Sequence, residues 1–319
     1  MEPQNMPTEE GAALVTPVAP VAAPAPLPPS TMSRRKASNM IARASWELLK
    51  KDKEIVLFPI LSGLVSIAIC VVIALMYFFI RFNGDFAVLQ SWLDASQNTQ
   101  TQENPFLSYG LLFVSYFISF LVVIFFQTGI VAIVAGRLNG QDLTFRDGMN
   151  SAFAHLGKIA LWSLFAATVG VLLRVIFDRS RWLGKIVVWF VGAAWGIATF
   201  FIVPVLILED DGIQASLRSS VDVVKKTWGE SLMLNIGAAI VFTLLGFAGV
   251  VLFLLTFFTQ NFILIAAAGV ALVIFLFALT IVSSTLDVIF RVVLYTYAKT
   301  GKIADGYSEE MIRSAFVTK

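Results

Sequence analysis

The sequence predicts an all-α, polytopic membrane protein with six transmembrane helices as three hairpins, each preceded by a cytoplasmic interfacial amphipathic helix. Three observations predict it. Of 319 residues, 58% are hydrophobic and 14% are charged, where a soluble domain has about 45–50% and about 25%. Mean hydropathy is +0.82. Apolar runs long enough to cross a bilayer recur six times, and they do not alternate as barrel strands would. This composition excludes a disordered regulator, a disulfide-stapled secreted domain and an ordinary soluble enzyme. Lys plus Arg number 23 and Asp plus Glu 21, so no global basic field exists to attract nucleic acid.

Residues 1–32 differ from the rest. They hold eight of the eleven prolines, with much alanine. Proline removes backbone donors and resists helix formation, so an extended tail is expected there. Glu2, Glu9 and Glu10 occupy the place where a signal peptide carries basic residues, and no compact apolar run follows them. Residues 33–319 then form the membrane domain.

Its expected spans are about 55–80, 106–135, 159–177, 186–208, 232–258 and 262–286. Hydrocarbon offers no hydrogen-bond partners, so each run must satisfy its own backbone as a helix. The sixth continues as helix through Arg291 to about Lys299. Pro204 is expected to kink the fourth span or loosen its last turn. Residues 82–104 form one long polar loop. The link Thr259-Gln260-Asn261 is so short that the last two spans must run antiparallel.

Orientation follows from charge, because Lys and Arg accumulate on the cytoplasmic side. With the N-terminus inside, 18 Lys and Arg lie inside and five outside: Arg81, Arg174, Arg179, Arg181 and Lys185. Were the third run re-entrant, the tally would become 14 against nine. Six full spans, both termini cytoplasmic, in the cytoplasmic membrane, is therefore the expected topology, with Asp178 and lipid headgroups offsetting the misplaced cations.

An internal repeat supports a modular build. RASWELLKK at Arg43–Lys51 matches RSSVDVVKK at Arg218–Lys226, and a looser copy, RDGMNSAFAHL, lies at Arg146–Leu156. Each copy precedes an apolar run. In the last copy Ile213, Leu217, Val221, Val224 and Trp228 make a helical stripe, while Arg218, Asp222 and Lys226 follow the other face. In the middle copy the stripe is Phe145, Met149, Ala152, Phe153 and Leu156, and Thr144 with Asp147 marks a helix start. Such helices either lie in the interface or pack on the cytoplasmic ends of the spans; both bury one face.

Three runs carry a family resemblance: SWELLKKDKEIVLFPILSG from Ser45 to Gly63, FFIVPVLILEDDGIQASLRSSVDVVKKTWGE from Phe200 to Glu230, and LYTYAKTGKIADGYSEEMIRSAF from Leu294 to Phe316. Together they resemble an uncharacterised family of bacterial six-span integral membrane proteins known only as a domain of unknown function. The resemblance covers roughly Ser33 to the C-terminus. It implies location and topology, and no substrate or functional residue.

Candidate functional or interfacial residues are Arg174, Glu209, Asp210, Asp211, Arg218, Asp287 and Arg291. The acidic step Glu209-Asp210-Asp211 reads as capping and dipole complementation of the following helix, against a cation site that lacks any defined loop spacing. Arg174 ends its apolar run closely enough to snorkel. Asp287 and Arg291 stand i, i+4 as an interfacial pair. Gly192–Gly196 is a GxxxG step that reads as a helix contact. Cys70 reads as a small buried hydrophobe, and the single histidine, His155, cannot build a multi-histidine metal site. No nucleophile elbow, phosphate-cradling loop or zinc spacing occurs.

The expected role is a non-enzymatic scaffold, lipid-responsive element or accessory membrane protein without cofactor. Its partners would be membrane lipids and other membrane proteins or a second copy, not nucleic acid. A transporter or channel built on the repeated hairpin is the alternative. In a Cys70→Ala background, cysteines placed singly at Ser96 and Ser180 are expected to react with an impermeant thiol reagent from the same outer face of intact cells. Reaction from opposite faces would refute the topology.

Overall fold

The computed structural model describes residues 46–301 apart from 48, 51, 52, 89, 92–104, 181 and 210. The 1–32 tail, the 92–104 part of the polar loop, residues 302–319 and Arg43, Leu48 and Lys51 of the first repeat lie outside the described residues. So do the side chains of Trp228 and Asn235.

The architecture is all-α. A 3-10 turn at Lys53–Val56 leads into α1 (Leu57–Phe82), followed by α2 (Pro105–Leu138), α3 (Phe145–Ala154), α4 (Leu156–Arg179), α5 (Trp182–Ala198), α6 (Ile202–Leu208), α7 (Ile213–Leu255) and α8 (Phe262–Thr300). Among the described residues, six segments are long and apolar enough to cross a membrane: Lys53–Ile80, Ser108–Leu138, Leu156–Arg179, Gly184–Leu208, Ile240–Thr259 and Phe262–Thr300. Leu64, Ile67, Val72, Phe79, Phe190, Leu252, Ile263 and Val273 are among the many large apolar residues that stand exposed along them. A soluble monomer does not leave so much contiguous apolar surface to water. Together these features mark a multi-pass membrane protein.

The chain divides into two compact units, whose boundaries fall inside α1, α2 and α5 and between α3 and α4. One unit comprises Ile60–Phe126 and Leu156–Trp195. In it, α4 buries Ile159, Trp162, Ser163, Ala166 and Ala167, a stripe with helical spacing. Trp162 stacks on Trp195 with ring centroids 6.0 Å apart and planes 6° from parallel. Gly170 lies under the Tyr116 ring, where a Cβ would come within 2.9 Å. Arg174 pairs with Asp178 at 3.1 Å one turn later, both partly exposed, and Lys185 lies 5.0 Å over the Phe177 ring. Arg174 thus finds its partner on its own helix, and Lys185 lies over a ring of the preceding one. Gly192 and Gly196 do not make the contact read from their spacing: a Cβ on either meets nothing within 4 Å. Cys70 is exposed rather than buried, because α1 turns that side outward.

The other unit holds the described parts of residues 1–59, 127–155 and 196–319. Its core gathers the end of α2, where Ile130 to Ala135 are all buried, with Ile55, Phe58, the whole of α6 and Ile281 to Tyr295 of α8. Phe58 is fully buried and wedges between two glycines. A Cβ on Gly129 would clash with the edge of its ring at Cε1, and one on Gly148 would lie 2.7 Å from Phe58 Cζ and 2.9 Å from the Gly129 carbonyl. Only glycine lets α2 and α3 close on this ring.

The start of α3 is held twice. Thr144 and Asp147 form the reciprocal capping box their spacing predicted, and Glu54 Oε2 accepts the Phe145 N–H at 2.7 Å. The Thr144 backbone N–H and hydroxyl donate to Asp147 and hold its carboxyl below the ordinary aspartate value. This support is complete near neutrality and fades only as acid passes below the usual aspartate range. The buried side of α3 is Gly148, Ser151 and Ala152. Phe153 and Leu156 of the expected stripe stand exposed.

Two expected boundaries change. The fourth span is interrupted at Thr199–Phe201 and resumes as α6. The fifth has no boundary near residue 232, because α7 is one helix of 43 residues, about 65 Å at 1.5 Å per residue. A continuous helix cannot lie in the membrane plane over one half and cross over the other. In this repeat copy the pre-span segment therefore packs as a helix end, burying Ser216, Ser220, Val223 and Val224 rather than the Ile213–Leu217–Val221 line. The first and last copies still correspond locally: Glu47–Lys50 and Asp222–Lys225 are the same i, i+3 ion pair at equivalent positions.

After α7, a 3-10 turn at Thr256–Thr259 and left-handed Gln260 reverse the chain, and Asn261 accepts the N–H groups of Ile263 and Leu264. α8 returns alongside α7. Gly249 faces Leu272 and Phe275, Gly246 faces Leu276 and Leu279, and Phe253 faces Gly269, which is antiparallel pairing.

Gly129→Ala should lower thermal stability in detergent by the equivalent of about 1–3 kcal/mol, the cost of overpacking. Gly192→Ala should leave it unchanged or raise it by up to about 1 kcal/mol, the helix preference of alanine. Equal effects at the two sites would contradict the packing.

Candidate functional site: a polar seam where α8 meets α6 and α7

Pro204 starts the site. It has no N–H, and its ring displaces the carbonyl of the residue four before it, Phe200. The helix breaks there, and Pro204 falls in the first turn of α6, where the missing donor has no intrahelical partner anyway. The broken ends are repaired from α7. Ser220 Oγ donates to the Ala198 carbonyl at 2.7 Å and accepts the Phe201 N–H at 3.2 Å. Ser220 and Phe201 are fully buried.

α8 answers with a stripe of its own. Asp287, Arg291, Tyr295 and Lys299 recur every fourth residue, so they descend one slowly winding face. Asp287 and Arg291 pair at 2.6 Å, each about one-quarter exposed. The Arg291 guanidinium lies 4.5 Å over the Phe200 ring at the break. Tyr295 is buried, and its hydroxyl donates to Glu209 Oε1 at 2.7 Å. Ser219 Oγ donates to the same oxygen at 2.8 Å, and Lys299 Nζ approaches it at 2.9 Å. One carboxylate oxygen at the end of α6 thus gathers donors from α7 and α8.

This arrangement corrects the capping reading of the acidic step. The N-cap of α7 is Gly212, with no side-chain hydrogen bond. Glu209 instead closes α6 and ties three helices together. Asp211 is exposed, and Asp210 lies outside the described residues. Arg218 is exposed on α7. Asp287 and Arg291 form the expected pair, while Arg174 stands apart in the other unit. Among the described residues no three His, Cys, Asp or Glu side chains stand together as metal ligands would.

Between α7 and α8, further toward the hairpin tip, a groove of about 450 Å³ opens. Phe242, Gly246, Leu276 and Leu279 line one end. Ser283, Ser284 and Asp287 line the other together with Leu286 and Phe290, and Thr243 and Thr280 complete the lining. The Asp287 Oδ1 atom is buried and has no hydrogen-bond partner among the described residues.

Sequence reading passed over Ser219, Ser220, Tyr295 and Lys299. The four-residue period on α8 was a visible signal for Tyr295 and Lys299. The role of Ser220 was not visible, because its partners lie 19 and 22 residues away at a break that the proline only indirectly announces.

Glu209→Gln and Tyr295→Phe should each destabilise the protein by about 1.5–3 kcal/mol, the range for hydrogen bonds to charged groups. The double variant should lose less than the sum. Ser220→Ala should cost about 1–3 kcal/mol by leaving buried backbone groups unpaired. Strict additivity in a thermal-unfolding double-mutant cycle would show that Glu209 and Tyr295 do not act on each other.

The sequence profile of one family, described as a family of unknown function (DUF6159), matches residues 106–305. The match begins after the Ser45–Gly63 run and stops within the C-terminal run, so it is narrower than the resemblance read from the sequence. No protein of curated function matches the chain.

Proposed function

We propose, from the premise that the chain belongs to the DUF6159 family of unknown function, that it is a non-enzymatic, lipid-responsive accessory scaffold of the cytoplasmic membrane. In this reading both termini face the cytoplasm, and the spans pair as three hairpins. The polar seam lies at the cytoplasmic boundary. The short α3 lies at the same level, with Phe153 and Leu156 toward acyl chains and Arg146 and Lys158 toward headgroups.

The observation that carries the proposal is Glu209. Its Oε1 accepts from Tyr295, Ser219 and Lys299, so this carboxylate works as a tie between helices. The backbone break beside it is packed in side chains, with all seven residues of α6 buried, whereas the broken helices of transporters open onto a cavity.

Photo-crosslinking of the full chain in native membranes, followed by purification, should recover a reproducible protein partner or an enriched lipid class. The chain reconstituted alone in liposomes should pass no ions or small solutes above the protein-free rate. Flux that depends on the chain would replace this reading with a transporter or channel.

A further inference from the structure

We infer that the turn between α4 and α5 is a binding site for the phosphate of a net-anionic phospholipid, met by Arg174, Arg179 and Lys185 around the Phe177 ring. This deepens the lipid-responsive part of the proposed function and rests on it. All four residues belong to one compact unit.

The charge balance of the turn is one-sided. From Arg174 to Lys185 the sequence carries four cations, Arg174, Arg179, Arg181 and Lys185, against the single carboxylate of Asp178. Arg181 lies outside the described residues and enters only through its charge. Asp178 is already taken by Arg174 at 3.1 Å. Arg179 and Lys185 are exposed, and among the described residues neither meets a carboxylate. An exposed cation without an acid calls for an anion from outside the chain.

Local packing gathers these cations. Lys185 Nζ lies 5.0 Å and Arg174 Cζ 6.0 Å from the centroid of the Phe177 ring. The ring thus draws a cation from the start of α5 to the end of α4. Arg179 follows Phe177 by two residues, at the last position of α4. A phosphodiester accepts several N–H donors at once, and a guanidinium can grip two of its oxygens.

Depth commits the occupant to a lipid. Residues 159–173 of α4, 15 in all, carry no charged side chain. They make about 22 Å of helix, against about 30 Å of hydrocarbon. As a membrane span, α4 therefore holds Arg174 near the hydrocarbon edge, and its long side chain reaches toward the phosphate layer. Trp182, the first residue of α5, stands exposed beside this turn, and tryptophan settles at headgroup level. An acidic protein arriving from water has no access to that depth, whereas a lipid phosphate already occupies it. A zwitterionic lipid brings its own ammonium to a turn with surplus cations. A net-anionic lipid brings none, so the turn favours it.

The test uses the full chain in nanodiscs with photoreactive-acyl phospholipids of matched chains, bearing either a glycerol or a choline headgroup. Probes in both leaflets make the result independent of which face the turn occupies. Mass spectrometry locates the labelled peptides. The glycerol-headgroup probe should label segment 172–190 about tenfold more than the choline probe, since each cation near the surface adds about fivefold. The double variant Arg179→Gln/Lys185→Gln should erase most of that ratio. The charge-preserving pair Arg179→Lys/Lys185→Arg should keep it, as should Lys225→Gln/Lys226→Gln, which removes the same charge from α7. Equal labelling by the two probes, a preference that survives the Gln pair at 179 and 185, or one lost equally in the α7 pair would each overturn the site. Loss of labelling to inorganic phosphate at constant ionic strength would do the same, because the ligand would then be the free ion. None of these outcomes bears on partner capture or liposome flux, so failure of the site is distinct from failure of the scaffold reading.

Discussion

A backbone amide in oil has nowhere to place its hydrogen bond except within its own helix or on a neighbour. In this chain that constraint is sharpest at Pro204. The proline ends the long regular stretch of the fourth span, and the groups it frees are met by Ser220 from a different helix. Once Ser220 must sit against Ala198 and Phe201, the start of α7 is fixed beside α6. Glu209 then comes within reach of Ser219, and α8 has one face to present to both. The seam of Asp287, Arg291, Tyr295 and Lys299 follows from where that single serine must be.

The seam is also economical in its use of charge. Lys299 and Glu209 oppose one another, as do Arg291 and Asp287. Partial exposure limits what either pair adds to stability. Their effect is geometric: each acid or base has one orientation in which its partners are met. The buried Tyr295 hydroxyl has the larger energetic stake, since in a dry surrounding an unmet donor costs more than a made bond gains. The aromatic ring of Phe200 under Arg291 extends the same logic to a cation near the break.

Much of the fold was legible in the sequence, for a physical reason. Long apolar runs have one stable form in a bilayer, so length and hydropathy announced the long apolar helices, although α7 begins well before the expected start of the fifth span and α8 runs on to Thr300. The capping box at Thr144 and Asp147 and the reversal at Thr259–Asn261 were legible because they are local chemistry. What escaped was tertiary. The apolar line Ile213–Leu217–Val221 looked like the buried face of α7, yet the small residues Ser216 and Ser220 are buried instead, because close approach to a broken helix rewards a short hydroxyl over a large hydrocarbon. The same preference for small groups put Gly148 of α3 inward and left Phe153 outside. Gly192 and Gly196 show the converse, since a spacing that permits helix contact does not create one. Of the candidate site residues, the Asp287–Arg291 pair was readable from i, i+4 spacing, whereas the true role of Glu209 depends on a tyrosine 86 positions away.

α7 joins two environments without a hinge. Its upper part belongs to the α7/α8 hairpin, and its first turns lie against α6 near the Glu209 tie. A rod of this length behaves as a lever. If lipid packing around the hairpin tilts it, the far end must swing by a comparable angle, because no loop intervenes to absorb the rotation. On the lipid-responsive reading proposed above, a change in bilayer thickness or curvature would be converted into displacement at the Ser219–Glu209 contact, with hydrogen-bonded backbone as the transmission.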